Sequence, residues 1–497
     1  MKVKQFINGF SMAARALILC LAALWVPVTA VYAQTAAPRS YYVRANGDDN
    51  NNGRSEDAPF KTLDKAVEAA KAGVIKRITV LGKIESESTL VIRDTGDDEI
   101  LITGKPDAAS WEKAEIEYYG YQNLLRITNA KIRFTAISLS GNWMIENKAK
   151  VTLGAGTIVP GDIRIQANAE LTMTDDATVR NTINASDSSI TMTGNARITG
   201  GGGIRGGGNL TLTMSDNAQI SGNTTGSAGG GIYVSTLTLT MTGNARISNN
   251  TASMQGGGIQ ADTLTLTMSD NAQISGNTTR SVNGGGVDAG TLTLTMTGNA
   301  RISNNTEAGT SEYDGRGGGG IYASSGKIAI SGDAQISGNT AAEYGGGIFF
   351  GSSGEITIAD NARISGNTAG KDGGGIYSAG TLTINGGEIS RNTAKNGGGV
   401  FVVRSATMTG GTITGNKAEY GAGVFAEKGR SWTDQGSTVH VEPGAAFTLN
   451  GGTITGNAAE FVGGGVYAQS GSTYTAGGGT VTDNTAGDGG ANVFRQQ

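Results

Sequence analysis

The sequence predicts an all-β chain, a single-stranded right-handed parallel β-helix of about 15 coils with an N-terminal strand–helix cap. Three observations lead there. Gly-Gly-Gly followed by Ile or Val recurs nine times, placing Ile204, Ile232, Ile259, Val287, Ile321, Ile348, Ile376, Val400 and Val466 mostly 24 to 28 residues apart. Gly421-Ala422-Gly423-Val424 is a tenth copy with one change. Between these copies run short alternations such as Leu237-Thr-Leu-Thr-Met241, and Ile-Ser-x-Asn recurs at one offset. A fixed period of this length means stacked equivalent units rather than one globular core.

Composition agrees. Glycine contributes 81 of 497 residues, well above the usual share of about 7%. Only six prolines and no Gly-X-Y triplet exclude collagen, while the alternating Leu, Ile, Val and Thr argue against disorder.

Residues 1–33 read as an export signal. Lys2, Lys4 and Arg15 precede or enter the apolar run 16–28, and Val31-Tyr32-Ala33 fits a cleavage site, so a mature chain would begin at Gln34. The lone Cys20 lies within that run and lacks the small residue expected before a lipidated cysteine. Residues 34–497 carry 35 basic and 42 acidic residues, a net charge of −7, which offers no footprint for nucleic acid. Without cysteine, stability must come from stacking. No second apolar span follows, so a soluble or non-covalently surface-attached product is expected, whether secreted, at the cell surface or periplasmic.

Residues 34–74 form the expected cap. Tyr41-Tyr42-Val43 reads as a strand, 46–53 as a polar loop, and 61–72 as a helix with Leu63, Ala66, Val67 and Ala70 on one face. Such a plug would cover the open edge of the stack. Asp48-x-Asn50-x-Asn52-Gly53 matches the first half of a calcium loop, but Pro59 stands where its last ligand belongs. It is read as a polar turn, and no cofactor is assigned.

Residues 75–497 form the stack. Each unit of about 27 residues holds three short strands and three turns and cannot bury its apolar row alone. With strands ~4.8 Å apart the rod would be ~70 Å long. The Ile-Ser-x-Asn asparagines (Asn223, Asn250, Asn277, Asn305, Asn339, Asn367, Asn392, Asn416, Asn457 and Asn484) are expected at sharp corners, in left-handed backbone and with amides bonding along the axis. Asn195, Asn217, Asn244, Asn271, Asn299 and Asn361 mark the preceding corner.

These residues carry a resemblance. The unit resembles bacterial right-handed parallel β-helix proteins of the pectin-lyase-like superfamily, and 41–63 is similar to the start of many exported members. The pairing of Gly-Gly-Gly-Ile with Ile-Ser-x-Asn resembles the repeat pair of polymorphic outer-membrane adhesins, whose Phe-x-x-Asn becomes Ile-Ser/Thr-x-Asn here. The resemblance implies the fold over nearly all of residues 41–494 and, more loosely, surface display. Those adhesins carry a C-terminal membrane barrel, which is not expected here.

Several outward rows are candidates for function. Tyr322, Phe349, Tyr377, Phe401, Phe425 and Tyr467 follow successive Gly corners. If Ile321 and its equivalents face inward, these rings form a contiguous exposed surface of the kind that takes a ligand. With the opposite phasing they would stack inside the rod. Trp432 and His440 lie in a lengthened corner, 426–443, and a second insertion spans 306–316. Arg197, Gln219, Arg246, Gln273, Arg301, Gln335 and Arg363 alternate at one position, keeping like charges two coils apart or lining a strip for an anionic glycan. Thr211, Thr213, Thr238, Thr240, Thr265, Thr267, Thr293 and Thr295 form two ranks expected to end at Ala329; β-propensity accounts for them, ice binding being the sharper alternative.

Hydrolysis on this scaffold needs clustered carboxylates, and the repeats show no Asp pair. The expected function is therefore a non-enzymatic, adhesin-like binding protein for glycans or cell-surface components. The alternative is a polysaccharide lyase or hydrolase, or an inactive relative. End-to-end self-association is expected from the unfinished coil at 489–494.

Overall fold

The computed structural model describes residues 40–86, 88–105, 114–118, 124–309, 317–352, 354–433 and 439–497. The expected export signal lies outside the described residues, as does most of the corner 306–316.

Strands stack as a parallel β-helix, whose right-handed sense is the one parallel crossovers take. Among the described residues the broadest sheet has 28 strands, and a second has 16, one per coil against the roughly 15 expected. A third face holds the short strands from Thr224–Thr225 to Thr368–Ala369, and Lys417–Tyr420, Ala458–Val462 and Thr485–Ala486 continue it. Register follows the repeat: Leu237, Leu239 and Met241 pair with Leu264, Leu266 and Met268, which pair with Leu292, Leu294 and Met296.

In the middle coils one strand serves two faces. Ile232–Met241 is continuous, yet its inward alternation slips where Ser235 and Thr236 both lie outside the core. That slip turns the strand between two faces without a loop. Inside, Leu, Ile, Val, Met and Ala fill one apolar column from end to end, widened near the start by Phe134 and Trp143.

At the N-terminus, Tyr41–Val43 pairs in parallel with Arg77–Val80 as the first rung. The helix Leu63–Ala72 buries Leu63, Ala66, Val67 and Ala70, the face its periodicity indicates. The Thr62 hydroxyl caps it by accepting from the Lys65 N–H. In the loop before it, Asp48 accepts from the Asn50 backbone and Asn52 from Arg54 N–H, so these oxygens are spent on the turn.

The glycine corner has a geometric cause. Gly256 takes a positive φ of 61°, which an L side chain would strain. Gly257 and Gly258 have ordinary φ, but a Cβ on either would lie 2.4 or 2.5 Å from the carbonyl oxygen of Gly285 or Gly286 in the next coil. The approach exists because the corner is itself hydrogen bonded coil to coil: Gly257 N–H donates to Gly284, and Gly258 N–H to Gly285.

The Asn row forms the expected amide ladder. Asn250 Nδ2 donates to Asn277 Oδ1 at 3.0 Å and to the Ile220 carbonyl, and its N–H donates to Asn277 Oδ1 as well. The pattern continues to Asn484, which ends on Asn492. One expectation is corrected. The left-handed residue is the one before the ladder asparagine, as at Asn249, Gly276 and Asn304. The ladder residue is selected for an amide that can give and accept along the axis, while its neighbour absorbs the turn.

Candidate functional site

The residues flanking each ring establish the phasing. In Ile348-Phe349-Phe350, Ile348 and Phe350 are fully buried in the main column. Phe349 therefore points away from it, and its equivalents follow in strict register: Tyr322, Phe349, Tyr377, Phe401, Phe425 and Tyr467.

Outward is not exposed, however, and here the structure corrects the expectation. Phe349, Phe401, Phe425 and Tyr467 are 7%, 3%, 4% and 6% accessible, and only Tyr322 and Tyr377 are half-buried. The rings cover one another. Centroids lie 5.0 Å apart for Tyr322–Phe349, 4.8 Å for Phe349–Tyr377, 5.2 Å for Tyr377–Phe401 and 4.9 Å for Phe401–Phe425, with planes within 11° of parallel. Coil spacing imposes this, since parallel strands separate residues by about one ring offset. Their edges are covered too. Tyr344 packs against Phe349 and Tyr377, Tyr420 against Tyr467, and Val403 and Val462 close the cluster. The row is a small second core outside the first.

Two features were missed. Phe494 extends the row as a seventh ring, 5.5 Å from Tyr467. Its corner reads Gly489-Gly490-Ala491-Asn492, a degraded triplet that hides the equivalence. Tyr344 and Tyr420 form a flanking row five residues before the rings; that constant offset was the available signal.

An opening remains where the cover is thin. Gly351, Ser352, Tyr377, Ala379, Val403, Arg404 and Pro443 line a groove of about 240 Å³. Arg404 is exposed, and Tyr377 contributes a half-buried ring. The insertion carrying Trp432 joins here. Arg430–Thr433 and Val439–Glu442 form an antiparallel hairpin with Trp432 opposite His440, and Pro443 ends it at the groove.

Towards the N-terminus the same register row turns polar through Arg205, Tyr233, Gln260 and Asp288. Arg205 lies over the Tyr233 ring at 5.3 Å and donates to Thr225 and Ser227. Burial pushes the Asp288 carboxyl up to about 7, and the Asp262 charge adds to the shift. Burial likewise raises the Tyr467 phenol, with Tyr420 contributing.

On other faces, Arg and Gln alternate in register from Arg197 to Arg363, with the arginines exposed. One Thr rank runs further than expected. From Thr152 it passes Thr172, Thr191, Thr213, Thr240, Thr267 and Thr295, breaks only at Ala329, and resumes as Thr357, Thr383, Thr407, Thr448 and Thr475. Among the described residues no three His, Cys, Asp or Glu gather as a metal cluster, and no helix is long and apolar enough to cross a membrane.

Comparison with known proteins places one coil. Residues 361–379 match the sequence model of the Chlamydia polymorphic membrane protein repeat. They contain Ile364-Ser-Gly-Asn367 and Gly373-Gly-Gly-Ile376, hence one ladder amide and one glycine corner. No curated protein matches the chain. Among solved structures it is similar to a rhamnogalacturonan lyase, at 11% identity over 92% of this chain and 87% of that one. The TM-score of 0.16 is too low for that likeness to carry an argument. What the repeat match and the parallel stack support together is a parallel β-helix, one coil of which is similar to that repeat.

Proposed function

We propose that this chain is an exported, non-enzymatic binding rod at the cell surface, adhesin-like in role, that takes glycans at the groove beside Tyr377. The observation that carries the reading is the polymorphic membrane protein repeat at 361–379, because its two signature turns recur through the stack. The groove supplies the recognition chemistry. Phe349 and Phe401 cover the faces of the Tyr377 ring, so the half-buried tyrosine presents its edge at the groove, and the Arg404 guanidinium lining the same groove favours carboxylated or sulfated residues. Ser352, which also lines the groove, adds a hydroxyl.

A glycan array on the secreted chain, paired with a lyase and hydrolase screen on polyuronates, tests the reading. Binding to acidic glycans should fall on Arg404→Ala, a surface change that leaves the fold intact. Turnover of a polyuronate that is abolished by replacing one acidic residue would overturn it in favour of an enzyme.

A further inference from the structure

At the polar end of the ring row, carboxylates and amides gather around Asp288. Asp288 occupies the row position between Gln260 and Tyr322 and is paired in register with both. Asp288 is 6% accessible, and among the described residues its carboxyl has no hydrogen-bond or ion-pair partner. A buried carboxylate without a partner is costly unless something neutralises it. Gln260 Oε1 and Asn283 Oδ1 are also shielded from water and also lack a partner.

Asn283 lies five residues before Asp288, in the corner that leads into its strand. It precedes Gly284, which packs so closely on Asp288 that a Cβ there would lie 2.7 Å from the Asp288 Cβ. In a later coil the residue at the same offset is Tyr344, and it touches the rings of its own coil and of the next. Asp262 lies two residues past Gln260 on the same strand, is exposed, and acts on Asp288 as a like charge. Register, corner and like-charge effect thus put two carboxylates and two amides in one region, and neither amide oxygen has a hydrogen-bond partner among the described residues.

We infer that Asp288, Asp262, Gln260 and Asn283 form a calcium site at the head of the aromatic row. All four donors are oxygen, which favours a hard cation over zinc or copper, and the two carboxylates balance a divalent charge. Calcium tolerates the irregular geometry of ligands drawn from two coils and a corner, whereas magnesium demands a near-octahedral shell. Calcium would tie the corner at Asn283 to the strands carrying Gln260 and Asp288.

The test is a calorimetric titration of calcium chloride into the EDTA-stripped full chain near neutral pH, alongside thermal melts. A single class of site and a higher Tm with calcium, but not with magnesium, are expected. Asp288→Asn should weaken binding by roughly tenfold or more, and Asn283→Ala should weaken it while leaving the far-UV spectrum unchanged. Terbium provides a position-sensitive readout, because Tyr322 neighbours Asp288 in register. Tyrosine-sensitised terbium emission should fall in Tyr322→Phe although calorimetric calcium binding persists. No calcium heat and no Tm shift, with Asp288→Asn simply more stable than the parent, would overturn the site and leave a proton as the neutralising partner.

Discussion

Gly258 and Gly286 meet across two coils so closely that a Cβ on Gly258 would lie 2.5 Å from the Gly286 carbonyl oxygen. The third glycine of each triplet is thus a matter of spacing, since its φ is open to any residue. Gly258→Ala should destabilise the rod by about 1–3 kcal/mol through forced displacement of the corner. Gly226→Ala, where a Cβ would meet nothing within 4 Å, should stay within about 0.5 kcal/mol. Urea unfolding of the two variants checks this, and equal midpoints would remove the close approach as the cause of the repeat.

The amide ladder predicts a second contrast. Asn277 gives two hydrogen bonds through Nδ2, to Asn305 and to the Ile247 carbonyl, and its Oδ1 accepts two from Asn250, all in fully buried surroundings. Removing it strands donors and acceptors at about 1–3 kcal/mol each, so Asn277→Ala should cost several kcal/mol. Asn244→Ala, in the exposed ladder bonded to Asn217, should cost well under about 1 kcal/mol. Because a stack unfolds coil by coil, hydrogen exchange of the coils flanking each site is the suitable measurement. Comparable loss of protection in both variants would refute the distinction.

How much of this could be read beforehand depends on which residue carried the information. Periodicity gave coil count, strand positions and the helix face, because burial of one row every coil dictates composition directly. Leu63, Ala66, Val67 and Ala70 are an instance. Alternation also told that Phe349 faces away from Ile348 and Phe350, but which side faced the core stayed open until their burial was seen. The exposure of Phe349 was not readable. That depends on Tyr344, Tyr420 and Val403, which belong to corners or other strands and reach the rings only after the coils stack. Part of the cluster at Asp288 was hidden for the same reason, because Gln260 is brought beside it by stacking.

The covered rings predict a stability role that any binding role must coexist with. Phe401 lies between Tyr377 at 5.2 Å and Phe425 at 4.9 Å and is 3% accessible. Phe401→Ala should cost about 3–5 kcal/mol, a core-like value for a residue outside the main column. Phe401→Leu should recover much of that. Tyr322→Ala, at the half-buried end of the row, should cost less. Denaturant unfolding of the three variants decides it, and near-wild-type stability of Phe401→Ala would mean that the stacking contributes little.

The cap should respond to acid through Asp49. Burial pushes its carboxyl up, but hydrogen bonds from the Thr62 N–H, the Thr62 hydroxyl and the Lys61 N–H, with the Lys65 charge, outweigh that and hold it below the usual carboxylate range. A depressed folded-state pKa contributes stability above the unfolded value of about 3.9, and that contribution is lost as pH falls through the lower folded value. Hydrogen exchange of the helix Leu63–Ala72 should therefore show protection that holds at mildly acidic pH and falls below about pH 4. In Asp49→Ala the helix should begin less protected and lack this component of the acid loss. A variant whose helix matches the parent at every pH would show that Thr62 caps the helix without help from Asp49.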